Sequence, residues 1–380
     1  MAMDRLFQLM KEKNASDMFF AVNSPVHLKI NGNLIPINQQ RLTEENIASL
    51  LGEVCSPEQN AELAHDNELN IAVSVPNLGR FRLSAFRQRG TISAVFRFVP
   101  SSIPSLQELG LPAKLPELIM EKRGLMLLVG ATGSGKSTTI ASMLDHRNEL
   151  RSGHILTLED PIEYLFKNKR SIVNQREIGT DAKDYYTALR NSMRQAPDCI
   201  LIGEIRDRET MAAALAYAQS GHLVLATLHA NNSYNALNRI ISFYPVDNRA
   251  ALLQDLSSTV KAIVSQRLVR SLDGGPRTAA VEIMLNTPHI SELIEKGHIG
   301  EIKEAIEQSL SPGSQSFELA LLQLVRDGLI SQEEALANAD SANNLMWLLN
   351  NGTDNKPQPE APVVPPPPEE SSFTEFTLST

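Results

Sequence analysis

GLMLLVGATGSGKSTT, residues 124–139, joins an apolar run to a glycine-rich loop and the start of a helical stretch. The loop, Gly130 to Ser137, matches G-x-x-x-x-G-K-[ST], and a strand leading in with a helix leading out is the context that pattern needs. Glycines let the backbone turn with its N–H groups aimed inward around a phosphate, at the positive end of a helix. Lys136 is suited to neutralise β- and γ-phosphate charge, and the Ser137 hydroxyl to ligate Mg²⁺. A chance glycine-rich turn is the bland alternative; the flanking strand and helix weigh against it. Gly130, Ala131, Thr132, Gly133, Ser134, Gly135, Lys136, Ser137 and Thr138 are therefore the expected nucleotide contacts, with ATP and Mg²⁺ as cofactors.

Around this stretch, short apolar runs alternate with helical segments: HILTL at 154–158, CILIG at 199–203 and LVLATL at 223–228. That alternation predicts an α/β domain with a parallel sheet. A phosphate loop of this kind needs an acid at the end of a neighbouring strand. CILIGEIRD supplies Glu204 there, with Asp207 beyond the strand end, and HILTLEDPIEY supplies Glu159, Asp160 and Glu163. Pro161 ends that strand, so Glu163 is expected on the following loop. Carboxylates at strand ends often cap helices or pair with arginines. Two acidic strand ends after one phosphate loop favour a site.

GHLVLATLHANN, residues 221–232, carries His222 and His229 around an apolar run. Their odd separation puts them on opposite faces of a strand, which argues against a two-histidine metal face. For His222 a core role satisfied by backbone groups is a fair reading. His229 falls at a strand's carboxyl end, where α/β sheets place ligands, and is the stronger functional candidate.

Residues 1–100 predict a smaller α+β domain. Met3 to Lys13 reads as a helix, Thr43 and Ser56-Pro57-Glu58-Gln59 as helix starts, and turn-separated β-rich runs as antiparallel strands. No acid occurs between Glu68 and Glu108, where Arg80, Arg82, Arg87, Arg89 and Arg97 fall. Each alone reads as a solvated face; five uncompensated arginines suggest phosphate or a neighbouring subunit's acids. Residues 101–116 hold three prolines and read as the linker, 117–352 as the nucleotide domain with a helical C-terminal part. Within the latter, RLVRSLDGGPRTAAVEIM (267–284) predicts a hairpin and Ser331 to Glu334 a capping box. Residues 353–380 hold seven prolines, and five carboxylates face the single Lys356, which predicts a disordered acidic tail.

The net charge of −9 gives no support to a nucleic-acid partner. Cys55 and Cys199 suggest neither a disulfide framework nor a zinc site. The mixed-charge N-terminus is no signal peptide, and no apolar run approaches the ~20 residues that span a membrane, so no membrane insertion is expected and the chain reads as cytoplasmic.

GATGSGKS, LEDPIEY, RQAPDCILIGEIRD and GHLVLATLHANN stand in the order and approximate spacing of the Walker A, Asp, Walker B and His boxes of the secretion ATPases. Within that superfamily the chain resembles the type IV pilus retraction ATPases over roughly residues 1–350. The resemblance implies a RecA-like P-loop ATPase domain, a PAS-like N-terminal domain and a homohexamer. It also implies that Glu163 is general base, Glu204 the Walker B acid near magnesium, and His229 a γ-phosphate reporter with His222 supporting the box. Arg82 and Arg97, and comparably Arg190 and Arg194 of TALRNSMRQAPD, become arginine contacts to nucleotide. The implied partners are a second retraction ATPase ring and an inner-membrane pilus platform protein, at the cytoplasmic base of the pilus. The segment HISELIEKGHIGEIKEAIEQS (289–309) lacks the arginine pair typical of the primary retraction branch. That departure, together with ADSANNLMWLL and the tail, resembles the accessory branch. A primary retraction ATPase, an ATP-binding coupling adaptor and, more weakly, a DNA-translocating motor are the alternatives.

Overall fold

The computed structural model describes residues 2–351 apart from 31, 77, 100 and 101. The acidic proline-rich tail lies outside the described residues. Two sheets organise the chain.

The first is antiparallel, with strands β1 (Asp17–Phe20), β2 (His27–Ile30), β3 (Asn33–Pro36), β4 (Glu68–Val75), β5 (Gly79–Gln88) and β6 (Thr91–Val99), in the order β3-β2-β1-β6-β5-β4. Alternation along β5 explains its placement. Phe81, Leu83 and Ala85 are buried, while Arg80 and Arg82 project from the other face. The buried face packs on the N-terminal helix Ala2–Glu12, whose Phe7 ring stacks on Phe81 at 4.1 Å and meets Phe96 edge-on at 5.3 Å. Reciprocal capping boxes open helices Glu44–Gly52 (Thr43 with Asn46) and Pro57–Asp66 (Ser56 with Gln59); the sequence leads one to expect both starts, and the box only at the second.

The second sheet contains β7 (Gly124–Val129), β8 (Gly153–Glu159), β9 (Ser171–Glu177), β10 (Cys199–Ile202), β11 (Leu223–Leu228), β12 (Val260–Val269) and β13 (Thr278–Leu285). Its order is β13-β12-β7-β11-β10-β8-β9, parallel throughout except for the β12–β13 hairpin. β7, β10 and β11 are buried along their whole length because helices cover both faces. Edge strand β9 is not among the strands anticipated from sequence. Helix Lys136–Leu150 follows β7 directly. At its far end the fully buried Arg147 donates to Ile119 O at 2.6 Å and Glu121 O at 3.0 Å, and Arg151 donates to Met120 O at 2.9 Å. These carbonyls close the short helix Lys114–Ile119.

C-terminal helices Phe317–Arg326, Gln332–Asn338 and Ala342–Asn351 form a small core with Val269 and Ala280. Ser331 caps the second of them as expected, while Glu334 accepts from the Arg270 N–H at 3.0 Å. Arg267 lies over the Phe317 ring at 3.9 Å and pairs with Asp340, which also accepts from Asn232 at 2.8 Å. No helix among the described residues is long and apolar enough to cross a membrane. The architecture is thus α/β, a mostly parallel sheet covered by helices, with a smaller N-terminal α+β part.

Candidate active site

The parallel strands of the second sheet end on one side, and a cleft of about 690 Å³ opens there beneath the first sheet. Its floor begins with the loop between β7 and helix Lys136–Leu150. Two glycines of that loop are demanded by close approach to β12. A Cβ on Gly130 would lie 2.6 Å from Gln266 O, and one on Gly135 (φ +88) would lie 2.7 Å from Gln266 Nε2. Lys136 is nine-tenths buried, and its ammonium donates to Gly130 O at 2.8 Å and Ala131 O at 2.9 Å. Burial lowers its pKa; the Glu204 carboxylate acts in the opposite sense. Ser134 keeps a buried hydroxyl with no partner among the described residues. Thr132, Gly133, Ser137 and Thr138 line the cleft, and Thr138 Oγ1 lies 2.9 Å from Tyr164 Oη.

Three acids enter from strand ends. Glu204 follows β10 and stands 3.2 Å from His229 Nε2, with Arg206 Nη2 at 2.6 Å on its other oxygen. Glu159 closes β8. Burial pushes its carboxyl up, although Thr157 and Gln175 donate to it at 2.7 and 3.2 Å. Glu163 follows on the loop after Pro161 and lines the same cleft.

The roof is cationic. Arg82 of β5 and Arg97 of β6 are directly opposed in the strand register and both line the cleft. Arg97 Nε is held by Asp17 Oδ1 at 2.8 Å. Like charges facing each other across a strand pair repel, so the arrangement favours an anion between them and Lys136. Soft or nitrogen ligands are few, while Ser137, Glu163 and Glu204 offer hard oxygens suited to Mg²⁺ beside phosphates.

Three residues expected at the nucleotide are not brought there. His222 precedes β11, at the opposite end of that strand from His229. Six strand residues, roughly 20 Å, separate them. His222 Nδ1 instead lies 3.0 Å from Ser220 Oγ and 3.2 Å from Tyr217 O, and its ring is edge-on to Tyr217. Arg190 and Arg194 sit exposed on helix Tyr185–Ser192 and the turn after it, outside the cleft lining. Conversely, Arg277, Leu268, Thr227 and Tyr164 line the cleft without having been anticipated. Arg277 lies in the glycine-rich turn of the β12–β13 hairpin. The hairpin itself is legible, and the turn's basic residue was the available signal.

A parallel sheet with a glycine loop at the head of one helix, roofed by a second sheet carrying paired arginines, defines a RecA-like ATPase of two parts. The family model described as Type II/IV secretion system protein matches residues 2–293. The type IV pilus ATPase PilU of Pseudomonas aeruginosa is 46% identical, covering 93% of each chain. PilT of the same organism, a type IV pilus retraction ATPase, is 36% identical over 90% of this chain and 100% of its own. The crystal structure of the pilus retraction motor PilT with bound ADP superposes with a TM-score of 0.83 at 37% identity, covering 89% of this chain and 96% of that one. The chain belongs to the type II/IV secretion system protein family, a family of secretion and pilus ATPases, and is homologous to PilU and PilT.

Proposed function

We propose that this chain is a P-loop ATP hydrolase acting as a mechanochemical motor in type IV pilus retraction, in the accessory role of PilU. The observation that carries the ATPase reading is the convergence of Lys136, Glu163, Glu204 and the Arg82–Arg97 pair on one cleft.

In this reading the loop amides of residues 130–138 cradle the phosphates, and Lys136 leaves its carbonyl partners to neutralise β- and γ-phosphate oxygens. Ser137 and Glu204 would hold Mg²⁺, which would shield the charge of the triphosphate. Glu163 takes a proton from water as its oxygen forms a bond to the γ-phosphorus. The bond from that phosphorus to the bridging oxygen breaks, and the electron pair leaves with ADP. Arg82 and Arg97 stabilise the equatorial charge from the roof, so turnover depends on how the two sheets sit. His229, against Glu204, reports whether the γ-phosphate is present.

A homohexamer in which the N-terminal part shifts against the ATPase part would convert this cycle into work. The load would be a platform protein at the cytoplasmic face of the inner membrane, beside a partner retraction ring. The departure at residues 289–309, acidic where the primary branch carries an arginine pair, favours the accessory role.

Mg-ATP turnover by the purified protein, with Lys136→Ala as control, tests the proposal. Turnover lost in the variant is expected. A folded protein that binds ATP without hydrolysing it alone would favour a coupling adaptor, or a motor that fires only against its partner ring.

A further inference from the structure

One carboxylate oxygen joins the N-terminal sheet to the backbone beside Glu163. Glu177, the last residue of edge strand β9, accepts from Arg80 Nη2 at 2.9 Å and from the Ile162 N–H at 3.1 Å, both on Oε2. Arg80 belongs to β5, ninety-seven positions earlier in the chain. Both partners are well buried, with 15% and 8% of their side chains exposed, so the pair escapes most of the screening that weakens surface ion pairs. Ile162 is itself buried and immediately precedes Glu163. The loop 160–163 therefore forms a wall with the nucleotide cleft in front. A second hollow of about 340 Å³ lies behind it, lined among others by Arg80, Asp160, Pro161, Ile162 and Glu177.

The two arginines share a face of β5 but not the same surroundings. Arg82 borders both the cleft and the hollow behind the wall, whereas Arg80 borders only the hollow behind it and pairs with Glu177. We infer that Arg80 and Glu177 form a positioning tie through which the seat of the N-terminal sheet sets the placement of Glu163. This inference rests on the ATPase reading above. Glu177 touches no reacting atom; it holds the amide that fixes where the Glu163 loop sits. With the sheet seated, the arginine draws the carboxylate and the carboxylate draws the loop. With the sheet displaced, Glu177 loses its charged partner, and the Ile162 amide is left on an acceptor no longer anchored from above. Small displacements of a catalytic base are expensive, so a modest shift of the roof would gate hydrolysis through Glu163 in addition to moving the Arg82 and Arg97 contacts.

Arg80→Met keeps most of the stem's volume and removes the charge; Arg80→Lys restores the charge. Each is compared with wild type by hydrogen–deuterium exchange of the peptide spanning 159–166 and by steady-state ATP turnover. Arg80→Met is expected to speed exchange at the Ile162 amide and to lower kcat roughly tenfold with KM for ATP unchanged. Arg80→Lys should recover most of both effects. Unchanged exchange in Arg80→Met overturns the tie, whatever turnover does. Faster exchange with wild-type kcat, or an effect confined to KM, overturns its role in positioning Glu163. If wild type turns over no better than Lys136→Ala, the reading of this chain as a self-sufficient ATPase fails, and the exchange comparison alone still decides the tie.

Discussion

Arg82 and Arg97 face each other across β5 and β6, and among the described residues Arg97 is paired with a carboxylate, Asp17, and Arg82 with none. A site built for an anion carries this repulsion until the anion arrives. Arg82→Gln is accordingly expected to stabilise the ligand-free protein by about 0.2–1 kcal/mol, while lowering ATP turnover. Melting curves without nucleotide, set beside turnover, check the opposed signs; a loss of both would make Arg82 a structural residue. Glu282 poses a different question. Its Oε1 accepts from Ser233 N at 2.8 Å, Ser233 Oγ at 2.5 Å and Ser265 Oγ at 2.9 Å, yet burial pushes its carboxyl up. The folded state then holds this proton to higher pH than the unfolded chain does, so stability falls as pH rises from the ordinary carboxylate value near 4.3 toward the raised one. Glu282→Gln keeps the accepting oxygen and removes that dependence. The variant's melting temperature should exceed wild type's at pH 8 by more than at pH 5, and an equal difference at both would refute this account.

Helix starts carry the clearest local signals. Asp207, just past the β10 end, accepts from Thr210 N at 2.8 Å and caps helix Arg208–Gln219. Asp207→Ala should cost about 1 kcal/mol of stability and leave nucleotide affinity unchanged, as denaturant unfolding and nucleotide titration would show. A loss of affinity instead would tie Asp207 to Glu204, three positions before it. The buried strands were legible because continuous apolar runs such as GLMLLV admit little else, and capping boxes marked where the chain turned helical. β9 was not, since SIVNQRE is an edge strand buried only at intervals and matches no single period. Motif order grouped the loop, Glu163, Glu204 and His229. Motif membership alone did not separate His222 from the nucleotide, although strand direction already set His229 at the carboxyl end and His222 at the other. Nor could it see Arg80–Glu177, because a contact spanning so much chain between two sheets leaves no local pattern.

At the scale of the whole molecule, three arginines of the N-terminal sheet are engaged within the protein, while Arg87 of β5 and Arg89 just after it are exposed. Arg80 is paired with Glu177, Arg97 with Asp17, and Arg82 lines the cleft. With a net charge of −9, no counterion-releasing stripe follows from them, so ATP turnover is expected to be unchanged by duplex DNA at low salt. Salt-sensitive stimulation would instead reopen the DNA-motor reading.

Helix Lys136–Leu150 contains neither glycine nor proline, the residues at which helices ordinarily kink. It grips the phosphate loop at one end and, through Arg147, the backbone carbonyls at the close of helix Lys114–Ile119 at the other. In a machinist's terms it is a connecting rod about 22 Å long with a fixed bearing at each end. A displacement at the phosphates reaches the segment leaving the N-terminal sheet with no soft joint between.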